Sequence, residues 1–243
     1  FYKVYADVNH LRANVIPLKE DFSIDVKNYK NLHTAIIIAN PNAPTGLALS
    51  KDEIEEILKN AKTAIVIIDE AYVDFGAESA ADLIPKYDNL IVVGTFSKSR
   101  SMAGIRIGYA LGQESLISDL HRIKYSFNPY SLDGLAVLAG KASVEDREYF
   151  ESTTKMVIKT RENFIKELKT LGFEVFDSKA NFVFTKNDII SGEELYKQLR
   201  ENNILVRYFD ENVLRDYVRI SIGSDENMEY TADVLRGIIG NRG

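Results

Sequence analysis

The chain has 243 residues, 45% of them apolar and 27% charged, with a formal net charge of −6. That length accommodates one large domain, or a large and a small one, around a sizeable core. The negative balance gives no support for nucleic acid or an anionic membrane as partner, though it leaves room for a local basic pocket, and the lack of cysteine excludes disulfides, zinc–thiolate centres and thiol nucleophiles.

The sequence opens at Phe1-Tyr2-Lys3-Val4-Tyr5, without a methionine and inside a patterned segment, as expected of a fragment. From about residue 35 to 111, short apolar runs alternate with helical patterns. A strand is predicted over 35–39, ending at Asn40-Pro41-Asn42-Ala43-Pro44-Thr45-Gly46. A helix follows from about Ser50 to Lys59, where Ser50 and Glu53 have the spacing of a capping box and Ile54, Ile57 and Leu58 form an apolar stripe. A strand over 64–68 ends at Asp69-Glu70-Ala71-Tyr72; then come a short helix near 79–86 and a strand over 90–94 that opens Thr95-Phe96-Ser97-Lys98. A further strand is predicted over 105–111. Runs apolar on both faces and joined by helices predict an α/β fold with a mainly parallel sheet covered on both sides.

Residues 114–143 read as two helices parted by Asn128-Pro129. A long helix follows over about 146–170, with Phe150, Val157, Phe164, Ile165 and Leu168 on its buried side and Gly172 as its C-terminal cap. Strands near 173–176, 181–185, 204–206 and 217–222, with helices over 192–202 and 225–239, make a smaller α+β unit. The expected division is a large domain over 1–150 and a small C-terminal domain over 151–243, hinged by the long helix. No apolar run approaches the ~20 residues of a membrane span and no secretory signal is seen, so a cytoplasmic location is expected. His10, His33 and His121 show no metal-ligand spacing, and no metal is expected.

In open α/β sheets, ligands bind beyond the carboxyl ends of the strands. Here an amine (Lys98), a carboxylate (Asp69), a phenol (Tyr72) and a small-residue turn sit at the ends of successive predicted strands. Singly each is weak, since a lysine is a solvated surface charge in ~95% of cases. Their order and shared placement suit an enzyme that holds an aldehyde cofactor as a Schiff base. A pyridine aldehyde needs a lysine for the imine and a carboxylate to keep the ring nitrogen protonated. Its phosphate needs hydroxyls, backbone N–H groups and a cation. Lys98 and Asp69 meet the first two needs, Ser97, Thr95 and Arg106 the third, and Tyr72 can reach the ring hydroxyl.

The segments Asn-Pro-Asn-Ala-Pro-Thr-Gly, Asp-Glu-Ala-Tyr, Thr-Phe-Ser-Lys and Gly-Ile-Arg-Ile-Gly-Tyr resemble fold type I aminotransferases, which depend on pyridoxal 5'-phosphate. Among these the resemblance is to the histidinol-phosphate aminotransferase family, shared by Val206-Arg207-Tyr208-Phe209, Tyr217-Val218-Arg219-Ile220-Ser221-Ile222-Gly223 and Ala180-Asn181-Phe182-Val183. It implies a cofactor imine and proton shuttle at Lys98, a pyridinium partner in Asp69, a ring-oxygen contact from Tyr72, and phosphate binding by Thr95, Ser97 and Arg106. It places Tyr2 as an aromatic stacked on the cofactor, with an ordinary half-buried aromatic as the alternative. Arg207 and Arg219 match the substrate-anion arginines, and Asn181 lies in a substrate-facing motif.

Two departures stand out. Ala43 occupies the place of the family asparagine that bonds the ring oxygen, leaving that role either to Tyr72 with water or to Asn42. The family's N-terminal section, with a phosphate loop and substrate-reaching tyrosines, is not in the sequence. The implied reaction moves the amino group of L-histidinol phosphate to 2-oxoglutarate in a homodimer. The alternatives are a threonine-phosphate decarboxylase and an inactive remnant.

Overall fold

The structure is a computed structural model that describes residues 2–240. Its strands form two four-stranded sheets. In the first, β1 (Ile36–Ala39), β2 (Val66–Asp69) and β3 (Leu90–Thr95) run parallel, and β4 (Gly108–Gly112) closes the edge antiparallel to β3. Parallel strands need a crossover between them. The first crossover contains α2 (Lys51–Asn60), which starts with both bonds of the capping box: Glu53 N–H donates to Ser50 Oγ, and Ser50 N–H to Glu53 Oε2.

The stripe Ile54, Ile57 and Leu58 packs on Ile36, Ile38, Val66, Ile68, Leu90 and Val92, which all point to one face of the sheet. Each such side chain contributes about 1.5–3 kcal/mol on burial. The expected cover on both faces is complete only here. On the other face Ile37 is 44% exposed, and α3 (Glu114–Phe127) has no buried residue. The companion α4 (Gly134–Glu145) buries Ala136 and Gly140.

Two predicted elements differ, and the predicted short helix takes a tighter form. The 79–86 segment is a 3-10 helix, Ala80–Lys86, with Pro85 inside it; a proline lacks the N–H and crowds the preceding turn of an α-helix. The strand predicted from 105 starts at Gly108, because Ala103–Ile105 form a 3-10 turn and Arg106 takes a left-handed φ of 62°. The strand predicted over 204–206 is instead β7 (Arg207–Tyr208), while Ile204 and Val206 pack on the second core and Leu205 points out.

The second sheet has the order β5 (Glu174–Val175), β6 (Phe182–Lys186), β8 (Val218–Ser221), β7, with every pair antiparallel. α5 (Arg147–Thr170), α6 (Gly192–Glu201) and α7 (Asp225–Gly240) cover it, with Phe164, Leu168, Leu195, Leu199 and Leu235 in the shared core. α5 ends in a Schellman motif: Phe173 N–H bonds Leu168 O, Gly172 N–H bonds Lys169 O, and Gly172 supplies φ +76°. Phe22, from the segment before β1, packs edge-on against Phe176, Phe184 and Tyr217. The chain's first helix, α1 (Tyr2–Val8), buries no residue. No helix among the described residues is long and apolar enough to cross a membrane.

Candidate active site

Ala39, Asp69 and Val93 stand in one row across β1, β2 and β3, so the segments that leave these strands start side by side. The first is the proline-rich turn. Buried Asn40 locks it by accepting from Leu49 N–H at 2.7 Å and donating to Leu49 O at 3.3 Å. Asn42 turns inward on the same loop, where its Oδ1 accepts from the Thr45 hydroxyl at 3.0 Å.

The second segment carries Asp69 and Tyr72. Asp69 Oδ1 accepts from Ala71 N–H at 3.1 Å, and its Oδ2 accepts from the hydroxyl of Tyr2. Tyr2 therefore meets the carboxylate through its oxygen. Burial, then the bond to Asp69 and the charge behind it, push this phenol above its usual range. The Tyr72 ring lies edge-on to Phe182, 5.1 Å between centroids, and Lys98 Nζ sits 5.3 Å from the Tyr72 centroid.

The third segment holds Thr95, Ser97 and Lys98. The Thr95 hydroxyl is 2.9 Å from Ser97 Oγ and 3.3 Å from Ile107 O, and it accepts from Ser97 N–H at 3.1 Å. Thr95 pairs with Gly108 across the antiparallel ladder. Arg106 stands two residues before Gly108 on the segment that returns into β4, exposed, with its guanidinium donating to Ala103 O at 2.7 Å. Two hydroxyls at a strand end, with a guanidinium on the returning segment, are groups that suit a phosphate.

The second sheet contributes the arginines. Arg207 and Arg219 are direct partners on β7 and β8. The Arg219 guanidinium lies 5.0 Å from the Phe182 ring and 5.9 Å from Phe209, and Arg207 lies 5.3 Å from Phe209. Arg219 Nε is buried with no hydrogen-bond partner. Asn181 precedes Phe182 at the start of β6, and its main-chain carbonyl accepts from Ile222 N–H at 2.9 Å. A chain of contacts therefore runs from Lys98 through Tyr72 and Phe182 to the two arginines.

Three polar residues around the site escaped the sequence reading. Ser99 donates to Asp74, tying the lysine segment to the turn after Tyr72. Glu70, 4% exposed, accepts from Ala80 N–H at 2.6 Å and the Ser79 hydroxyl at 2.7 Å, and burial pushes its carboxyl up. Arg161, on α5, is 2% exposed. Ser99 and Glu70 each adjoin a motif residue, and that adjacency was the available signal; Arg161 had none.

The donors present fit a pyridine aldehyde phosphate: an amine against a phenol, a carboxylate at the neighbouring strand end, and a hydroxyl pair with a guanidinium. The family model for aminotransferase class I and II matches residues 1–235. The histidinol-phosphate aminotransferase of Brachyspira hyodysenteriae is 52% identical over 242 residues, covering 99% of this chain and 68% of that protein. The solved histidinol-phosphate aminotransferase of Clostridium acetobutylicum superposes with a TM-score of 0.91 at 29% identity, over 99% of this chain and 75% of that one. The Sinorhizobium meliloti enzyme of the same name, solved in complex with pyridoxal-5'-phosphate, shares the fold with a TM-score of 0.87 at 22% identity, over 100% of this chain and 68% of that one.

Proposed function

Because the chain belongs to the class I and II aminotransferases, and within them to the histidinol-phosphate aminotransferases, we propose that it transfers the amino group of L-histidinol phosphate to 2-oxoglutarate. The cofactor in this reading is pyridoxal 5'-phosphate, which when bound supplies an electron sink for the carbon that loses its proton. Lys98 Nζ would hold the cofactor covalently and, when free, would move the proton at the amine-bearing carbon. Asp69 keeps the ring nitrogen protonated, Tyr72 bonds the ring oxygen, and Tyr2 lines the site beside Asp69. Thr95, Ser97 and Arg106 take the cofactor phosphate. Arg207 and Arg219 take the anionic end of the substrate, phosphate in one half-reaction and carboxylate in the other, with Asn181 beside them. The first sheet with its helices acts as the cofactor-binding domain, the second as the smaller domain, and the working unit is a homodimer.

The observation that carries this reading is the contact chain Lys98–Tyr72–Phe182–Arg219, which sets a reactive amine at one end and an anion site at the other. The decarboxylase alternative is not favoured, since relatives at about half identity are named for the transaminase. The test uses protein loaded with pyridoxal 5'-phosphate. L-Histidinol phosphate should shift the cofactor absorbance, and 2-oxoglutarate should then yield glutamate. An unshifted spectrum defeats the proposal, and carbon dioxide release without an oxo acid replaces it with decarboxylation.

A further inference from the structure

Arg161 is the most buried cation among the described residues, at 2% exposure. Its Nη1 donates to Phe75 O at 2.7 Å and to Ala180 O at 2.9 Å, while its Nε has no hydrogen-bond partner. Two backbone carbonyls are poor compensation for burying a guanidinium, and burial lowers its pKa. Packing alone would be served as well by an apolar side chain. The placement of the two carbonyls suggests what the charge is for.

Phe75 lies three residues after Tyr72, in the turn Val73–Phe75 that follows β2. Ala180 immediately precedes Asn181 and Phe182. Arg161 therefore bridges the loop that bears Tyr72 and the loop that leads into β6, the two segments whose Tyr72 and Phe182 rings touch. The Ala180 loop is held from its other side as well. Lys179 N–H donates to Gly46 O at 2.7 Å, Ser178 Oγ donates to Phe182 O at 2.6 Å, and Ala180 N–H donates to Ser178 Oγ at 3.1 Å. Of these links, only the guanidinium connects that loop to the segment carrying Asp69 and Tyr72.

We propose that Arg161 is a positioning residue: its guanidinium fixes the spacing between the Tyr72 loop and the Asn181–Phe182 loop, and thereby between Lys98 and the arginine pair. This rests on the aminotransferase reading of the site. The substrate spans that distance with its amine at one end and its anion at the other, so slack between the loops costs affinity more than it costs the chemical step.

The experiment compares wild type, Arg161→Met and Arg161→Lys, each loaded with pyridoxal 5'-phosphate. It reads kcat and KM for L-histidinol phosphate and amide hydrogen exchange at residues 72–76 and 178–182 without substrate. For Arg161→Met the expected result is a KM raised at least about 10-fold with kcat within about 3-fold, the pattern of lost uniform binding, and faster exchange in both segments together. Arg161→Lys, able to reach one carbonyl, should fall between the two. A wild-type KM in Arg161→Met, or faster exchange in one segment only, overturns the proposal whatever happens to the melting temperature. Should Arg161→Met not fold, Arg161→Lys decides: a wild-type KM and unchanged exchange overturn it. Failure of wild type to turn over would remove the aminotransferase reading, while the paired exchange response would still report on the bridge.

Discussion

Arg207 and Arg219 face each other across the β7–β8 ladder, each with an aromatic ring under its guanidinium. Like charges placed directly opposite on a sheet repel, and Arg219 Nε is buried without a partner. In the proposed function, an arriving dianion would relieve both problems at once. Arg219→Met should raise the KM for L-histidinol phosphate by about 10–100-fold, from the loss of charge-assisted bonds contributing about 1.5–3 kcal/mol. Steady-state kinetics checks this, and denaturant unfolding should show the variant no less stable than wild type. A wild-type KM would take the anion role away from Arg219.

Lys98 supplies the second test. Lys98→Ala should abolish the borohydride-stable adduct with pyridoxal 5'-phosphate, read as intact mass, and lower transamination by at least about 10²–10⁴-fold, the span typical of a lost proton-transfer group. An adduct that persists in the variant would assign the covalent role to another lysine.

Gly46 is held at φ +77°, and a Cβ there would overlap Ser178 Oγ and Cβ. Gly46→Ala should destabilise the fold by about 1–3 kcal/mol through overpacking, with left-handed strain adding about 1 kcal/mol. Chemical denaturation reads the loss. The Lys179–Gly46 backbone bond should weaken with it, visible as faster exchange of the Lys179 amide.

Glu70 predicts a pH effect. Burial holds its folded pKa above the ordinary 4.5, so the folded state keeps the proton to higher pH than the unfolded chain does. The associated stability is complete below the unfolded value and is lost as pH rises through the folded one. Glu70→Gln cannot titrate, and its amide can still accept from Ala80 N–H and donate to Ser79 Oγ. Urea unfolding from acid to neutral pH should give a flatter stability profile for this variant. A profile parallel to wild type would show that Glu70 does not contribute to the slope.

Much of this was legible in the sequence because local chemistry announces it. The Ile/Val runs of β1, β2 and β3 and the Ser50–Glu53 box are short-range patterns that match the structure within a residue or two. Lys98 and Tyr72 are close in space as their strand-end positions suggested. The misses each have a physical cause. Ile204 and Val206 alternate around an outward Leu205 as a strand would, yet they seal the core beside α6 before the β8 pairing starts at Arg207. Nothing in the pattern of residues 105–111 reveals a left-handed Arg106, since φ > 0 is read from glycine or asparagine and seldom from arginine. An arginine within a helix reads as solvated, and the partners of Arg161 are main-chain carbonyls 86 and 19 positions away, which no side-chain pattern encodes.

The reversal of β4 has one more consequence. Thr95 opposite Gly108 closes residues 96–107 into a hairpin-like excursion whose two ends are pinned in register. A residue gained or lost within it would have to be taken up between those pinned ends, at the expense of the 3-10 turn Ala103–Ile105 or of the left-handed Arg106. The excursion therefore has a set span as well as set chemistry, because the segment that carries Lys98 has to leave and rejoin the sheet at fixed partners.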